Sequence, residues 1–202
     1  MKVQALTTKY PLISNQVNKY QVDAVMGELE KVCTRDIQGA VVEFGCYIGT
    51  TSLFIRRLLD EIDPLRPFHV YDSFEGLPPK TFWDESITGE GFAPGQLSVS
   101  KKQFLREFQK AHLAPPIIHK GWFKNLESTD VPSQIAFAFL DGDFYESICD
   151  SLRLVVPHMQ NGGVIVIDDY AREALPGAAR AVHEFYSPDR IVTTHNLGIL
   201  RI

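Results

Sequence analysis

In this sequence acidic side chains gather at two points where a hydrophobic run stops. Ile135 to Leu140, IAFAFL, ends in Asp141-Gly142-Asp143, and the VIVI run from Val164 to Ile167 ends in Asp168-Asp169. Apolar runs of this kind read as central parallel strands buried on both faces, which puts both acidic groups at strand ends. In a right-handed doubly wound sheet, ligands sit at the carboxyl ends of the strands. In the order such sheets favour, a strand ending at Phe44 neighbours the one ending at Leu140, which neighbours the one ending at Ile167, with adjacent strands ~4.8 Å apart. Asp141 and Asp168 or Asp169 then crowd together, and carboxylates that close repel unless a proton or cation sits among them. Oxygen ligands without His or Cys suit Mg²⁺ or a similarly hard ion better than zinc. Any one of these acids alone reads more simply as a helix cap; three at two neighbouring strand ends favour the metal. A divalent ion there would lower the pKa of a bound hydroxyl. Asp141 or Asp143 is within reach of the released proton, with Asp143 the more available if Asp141 is tied to the ion. His119, His183 and His195 rank below the acids, because a lone His in such contexts is usually structural.

A second stretch, Ala40 to Leu59, supplies the neighbouring ligand turn. Val41, Val42 and Phe44, with Glu43 embedded, read as a buried strand; the chain breaks at Gly45 and Gly49 and resumes with helical spacing through Leu53, Phe54, Leu58 and Leu59. Such a βα turn lets backbone approach a ligand and presents the N–H groups of a helix N-terminus. A dinucleotide turn has the spacing G-x-G-x-x-G; here it is Glu43-x-Gly45-x-x-x-Gly49. An acid before the first glycine repels phosphate and suits an ammonium group. S-adenosylmethionine fits, its carboxylate on N–H groups near Thr50 and Thr51 and its amine toward Glu43. Asp72, after the alternating strand Phe68-His69-Val70-Tyr71, stands where an acid binds ribose hydroxyls; the plainer reading of Asp72 is a turn or helix cap.

These residues need a scaffold, and the rest of the chain supplies one. Ser14 or Asn15 offers a cap for a helix through Val17, Tyr20, Val22, Val25, Met26, Leu29 and Val32, within an N-terminal helical segment over 1–38. The glycine-turn helix stops near Asp63-Pro64. From Phe74 to Gly95 periodicity is lost, and the 74–100 region reads as a lid or acceptor loop in which Phe82, Trp83 and Phe92 could line a pocket. Ser100 caps a helix carrying Phe104, Leu105, Phe108 and Leu113, ended by Pro115 and Pro116; Ile117-Ile118-His119 forms a third strand. A helix with Ile148, Leu152 and Val155 inward runs to Pro157, and Gly162-Gly163 turns the chain into VIVI. Pro176-Gly177 opens a last helix through Phe185, and Ile191 to Thr194 with Gly198 to Ile202 suggest an antiparallel hairpin at the sheet edge. The fold expected is α/β, a Rossmann-like, doubly wound, mostly parallel seven-stranded sheet with an antiparallel C-terminal edge hairpin.

Composition sets outer limits. A chain of 202 residues suits one domain. A formal net charge of -5 without basic clusters argues against nucleic acid as partner. Cys33, Cys46 and Cys149 stand singly, as in a cytosolic protein with reduced thiols. The opening MKVQALTTKYPL has neither a signal-peptide core nor a span long enough for a bilayer, so the expectation is a cytoplasmic protein with no membrane partner.

Taken together, VVEFGCYIG, YDSFEGLP, KGWFKNL, LDGDFYES, GGVIVIDDY and PGAARAV, in this order, resemble the TylF/MycF family of macrocin-type O-methyltransferases. The resemblance runs from about Gly39 to about Phe185, and LDGDFYES with IDDY is its most specific part. It implies that Asp141, Asp168 and Asp169 are metal-binding acids and that Asp141-Gly142-Asp143 holds the base. It places Glu43, Gly45, Tyr47, Gly49, Thr51, Asp72, Ser73, Trp122 and Asp141 around S-adenosylmethionine. Family members methylate sugar hydroxyls on macrolide and aminocoumarin antibiotics, commonly as homo-oligomers. The stretch ahead of Val41 is short for the family, and it and the Phe74–Gly95 loop help shape the acceptor site, so the acceptor is not carried over.

Three rivals are weaker. Catechol-type metal-dependent O-methyltransferases, which EFGCYIG also resembles, place a lysine three residues after the first metal aspartate; here that position is Phe144. An NAD-dependent dehydrogenase lacks its G-x-G-x-x-G and has no need of the acid clusters. A non-catalytic S-adenosylmethionine-binding protein would not need intact acids.

Overall fold

The structure, a computed structural model, describes residues 2–88 and 92–202. Gly89, Glu90 and Gly91, part of the expected lid loop, and Met1 lie outside the described residues. Two helices, α1 (Lys2–Lys9) and α2 (Lys19–Thr34), precede an alternation of β1 (Ala40–Phe44), α3 (Thr50–Ile62), β2 (Phe68–Asp72), α4 (Lys101–Ala111), β3 (Ile117–Lys120), β4 (Ile135–Leu140), α5 (Tyr145–Val155), β5 (Met159–Ile167), α6 (Pro176–His183), β6 (Ile191–Thr194) and β7 (Leu197–Arg201). The seven strands pair in the order β3-β2-β1-β4-β5-β7-β6. The first five are parallel, and β7 pairs antiparallel with both β5 and β6. The expected mixed sheet with its C-terminal hairpin is therefore the observed one.

Alternation within the strands builds two apolar layers. Val41, Phe137, Phe139, Val164 and Val166 face a core shared with α1 to α4, while Val42, Phe44, Ala138, Leu140, Ile165 and Ile167 face α5 and α6. Because both sides of β4 are covered, all six of its residues are buried, as the unbroken IAFAFL run requires.

Register places the site. Phe44 pairs with Leu140, and Leu140 with Ile167, so three strands end in one row. The ladder continues one residue beyond each end: Gly45 N–H donates to Tyr71 O at 2.9 Å, Asp141 N–H to Phe44 O at 2.8 Å and Asp168 N–H to Leu140 O at 2.8 Å. The first residue of each acidic group is thus fixed by backbone hydrogen bonds.

Several local expectations are corrected. The cap of α2 is Asn18, whose side chain accepts from the Tyr20 and Gln21 amides, so Val17 lies ahead of the helix. Ser14 Oγ instead meets Thr50 Oγ1 at 2.8 Å. The expected N-terminal helical segment is two helices, α1 standing apart from α2. Helix α4 ends at Ala111 with His112 left-handed, ahead of the prolines. Gly162-Gly163 lies inside β5 rather than before it; the pairing slips between Ile135↔Met159 and Phe137↔Val164, a bulge that Gly162 admits with φ +82°. Helix α6 stops at His183, short of Phe185.

Candidate functional site

The carboxyl ends of β1, β2 and β4 open on a cavity of about 360 Å³, within the range usual for small-ligand sites. Glycine 45 lets its walls meet. With φ +86°, a Cβ there would stand 1.9 Å from the Asp141 carbonyl oxygen, so a side chain would push the ligand turn off β4. Gly45, Tyr47, Asp72, Ser73, Trp122, Asp141, Asp143 and Asp168 all line the cavity. Asp72 braces the turn: its Oδ2 accepts from the Cys46 N–H at 2.8 Å and the Tyr47 N–H at 3.3 Å, and its Oδ1 from the Phe74 N–H at 2.6 Å.

The other residues expected around the cofactor stand behind this wall. Glu43 is 1% exposed, beneath the turn, and accepts from Ser52 Oγ at 2.5 Å. Burial pushes its carboxyl up to about 8, with the Ser52 hydroxyl opposing and Asp72 adding. Gly49 is the left-handed N-cap of α3 with no side-chain cap bond, and Thr50 and Thr51 are buried at that helix start. The first amides of α3 therefore have no side-chain acceptor at the cap position.

At the far end of the wall the acids converge. Asp141, Asp143 and Asp169 each offer an oxygen within 4.8 Å of the others. Asp143 and Asp169 hold left-handed backbones, φ 58° and 54°, a conformation uncommon outside glycine but easiest for Asp and Asn. Asp141 and Asp143 keep a face to the cavity, yet lie deep enough that burial is the largest cause raising their pKa. Asp141 is pushed well above the usual carboxylate range by burial and then by Asp168, Asp143 and Asp169. Asp143 is pushed up to about 8 by burial, Asp169 and Asp168, against Arg172. Asp168 rises to about 7 through burial and Asp169, opposed by hydrogen bonds from the Asp169 backbone and Gln21. The convergent set is not quite the expected one. It contains Asp143, while Asp168 stands alongside with its Oδ1 accepting from Gln21 Nε2 at 3.1 Å and Asp169 N–H at 2.9 Å.

Asp141, Asp143 and Asp168, whose charged forms are disfavoured by burial and by neighbouring acids, make with Asp169 a site that a hard cation would relieve. The oxygen-only donor set fits such an ion, with Asp141 and Asp169 common to the expected and observed groups.

Sequence reasoning missed several wall residues. Gln16 reaches the cavity from the N-terminal segment, Lys80 and Thr81 from the irregular loop, and Glu146, Ser147 and Asp150 from the first turns of α5. The α5 trio carried a signal: positions 146, 147 and 150 share one helix face directly after the acidic turn. The loop aromatics do not line the cavity. Trp83 stacks on Tyr145 with ring centroids 5.3 Å apart, Phe82 is 73% exposed, and Phe92 packs beside Leu77, Phe144 and Leu175. The loop is anchored by Asp84, 1% exposed, whose Oδ1 accepts the Tyr145 N–H at 2.7 Å at the start of α5.

Comparison with known proteins agrees with this architecture. The sequence model of the macrocin-O-methyltransferase (TylF) family matches residues 7–196. The chain is 32% identical over 163 residues to 8-demethyl-8-(2,3-dimethoxy-alpha-L-rhamnosyl)-tetracenomycin-C 4'-O-methyltransferase of Streptomyces olivaceus, covering 78% of this chain and 61% of that protein. It is 28% identical over 203 residues to mycinamicin III 3''-O-methyltransferase of Micromonospora griseorubida, covering 94% and 79%. The solved structure of the O-methyltransferase NovP superposes with a TM-score of 0.75 at 25% identity, over 90% of this chain and 78% of that one. The chain thus spans about three fifths to four fifths of the length of these proteins. With a family match over nearly its whole length, the chain belongs to the TylF family of macrocin-type O-methyltransferases.

Proposed function

We propose that this chain is a metal-dependent O-methyltransferase that moves a methyl group from S-adenosylmethionine to a hydroxyl on a sugar of a glycosylated natural product. What carries the proposal is the convergence of Asp141, Asp143 and Asp169 within 4.8 Å, beside the cavity under the glycine turn, in a chain of this family. A bound Mg²⁺ would supply acidification of a coordinated hydroxyl, and the sulfonium donor an activated methyl group. The protein's own residues do the rest.

Asp141 and Asp169 of the convergent trio, with Asp168 beside them, would hold the ion, Asp168 with one oxygen already fixed by two N–H groups. Asp143 takes the hydroxyl proton. Burial and the neighbouring acids push its pKa up to about 8, and a cation beside it would favour the carboxylate that can accept the proton. Losing that proton would free the hydroxyl oxygen to bond the methyl carbon, the electron pair of the carbon–sulfur bond leaving with sulfur. Gly45, Tyr47, Asp72, Ser73 and Trp122 shape the donor end of the cavity. The uncapped start of α3 suits the donor's carboxylate, and Glu43, bonded by Ser52, supports the turn from beneath without lining the cavity. Names of two relatives, one for a rhamnosyl-bearing tetracenomycin and one for mycinamicin III, support a natural-product acceptor.

A panel of glycosylated and phenolic acceptors, incubated with methyl-labelled S-adenosylmethionine with and without EDTA, tests this directly. Expected is methylation of a sugar hydroxyl that stops with EDTA and returns with Mg²⁺. Turnover indifferent to EDTA would remove the ion from the mechanism, and transfer to phenols alone would move the acceptor class.

A further inference from the structure

We infer that Gln21, on the N-terminal helix α2, is a positioning residue for the acids at the end of β5: its side-chain amide fixes Asp168 in the orientation that ion binding requires. This rests on the metal-dependent reading above.

Gln21 and Asp168 are 7% and 5% exposed, and they are joined across 147 positions of sequence by Gln21 Nε2 donating to Asp168 Oδ1 at 3.1 Å. The other end of the amide is also used, Gln21 Oε1 accepting the Asn18 N–H at 3.0 Å. These two bonds set which way the amide points; rotated by half a turn, its oxygen would face a carboxylate and its NH₂ a backbone N–H. Gln21 sits among Val22, Val25, Met26 and Leu29 on the buried part of α2, where a buried polar group is costly unless bonded.

Capping alone does not account for the residue. The capping box of α2 needs only an acceptor at this position, which Glu supplies as well as Gln. The N–H that reaches Asp168 is surplus to the cap and is what the amide adds. Asp169 N–H binds the same Oδ1 at 2.9 Å. Two donors on one oxygen hold the carboxylate plane and leave Oδ2 as the oxygen for a ligand. Such outer partners of metal-holding side chains are worth about 10–100-fold in ion affinity.

The test measures Mg²⁺ binding to EDTA-stripped protein by calorimetry, not turnover. Gln21→Met removes the donor at similar length. Asn18→Ala, the control, breaks the same helix cap and leaves the Gln21–Asp168 bond. Expected is affinity about 10–100-fold weaker in Gln21→Met and within about twofold of wild type in Asn18→Ala, even where Asn18→Ala loses as much Tm. Should Gln21→Met be only partly folded, Gln21→Asn, one methylene shorter, keeps the polarity but withdraws the reach. The ion-induced rise in Tm then reports affinity for the folded fraction. Wild-type affinity in both Gln21 variants would overturn the positioning role while leaving the ion reading intact. Equal weakening in Asn18→Ala would overturn it too, reducing Gln21 to a cap. Absence of Mg²⁺ binding in the wild type would overturn the ion reading itself, and this inference with it.

Discussion

At the amino edge of the sheet Arg66, 7% exposed, donates to Asp63 Oδ2 at 2.6 Å and to the carbonyls of Ile37 and Gly39 at 2.7 and 2.8 Å. At the carboxyl edge Asp141, Asp143, Asp168 and Asp169 crowd together, and the guanidinium of Arg172, about a third exposed, reaches Asp169 at 3.3 Å. Each edge borders a hollow, about 510 Å³ at the amino edge and about 360 Å³ at the carboxyl edge. The difference lies in the charge. Arg66 has its partners built into the fold and ties the loop before β1 to the one before β2. The acids have one another, and burial raises the pKa values of Asp141, Asp143 and Asp168 where a stabilising pair would lower them. A buried charge matched by partners of opposite sign belongs to the fold; buried carboxylates crowded against one another mark where a cation completes the structure.

The largest effect that sharpens this contrast comes from the carboxyl edge. Asp141→Asn or Asp169→Asn should lower kcat by about 10²–10³-fold or more, yet leave Tm in EDTA unchanged or raised, because a repulsive charge has gone. A strong loss of Tm in EDTA would mean that these carboxylates are structural. Arg66→Met should do the reverse. Removing it orphans Asp63 and two carbonyls and costs about 3–5 kcal/mol of stability, while kcat per folded molecule stays near wild type in a denaturant-calibrated assay.

The fold was legible in the sequence where local pattern and global packing agree. IAFAFL and VIVI read as central strands because both faces are covered, and the acids after them are placed by a register that the usual strand order already implies. The site was legible to the same depth: strand ends, yes; side-chain directions, no. Whether Asp143 or Asp168 completes the trio depends on left-handed turns at Asp143 and Asp169, which leave little trace in residue type because each motif offers two aspartates. Gln21 was visible only as a helix residue, since its partner is 147 positions away. The bulge at Gly162-Gly163 looked like a turn because glycine serves both, and only pairing with β4 tells them apart.

The two edges should also answer pH with opposite sign. In metal-free protein Glu43 and Asp143 have folded-state pKa values near 8, above an unfolded value of about 4. Their stabilising share is therefore complete below about pH 4 and lost as pH rises toward 8. A Tm about 5 °C lower at pH 8 than at pH 6 in EDTA, and a smaller difference with Mg²⁺, is expected by calorimetry. His69, beside the amino-edge hollow, is lowered by burial and by His119, whose ring nitrogen lies 3.1 Å away. Its share is present above its unfolded value of about 6.5 and lost as pH falls. His69→Phe should blunt the acid-side loss by no more than about 1 kcal/mol, the smallest effect of the set.

The central claim is that the acids at the ends of β4 and β5 share a hard divalent ion, and manganese can stand in for magnesium in the most direct test. Crystals grown with Mn²⁺ and S-adenosylhomocysteine, measured at the manganese absorption edge, should show one anomalous peak bonded to Asp141 and Asp169. No peak there, or the same peak surviving in Asp141→Asn/Asp169→Asn protein, would contradict the account.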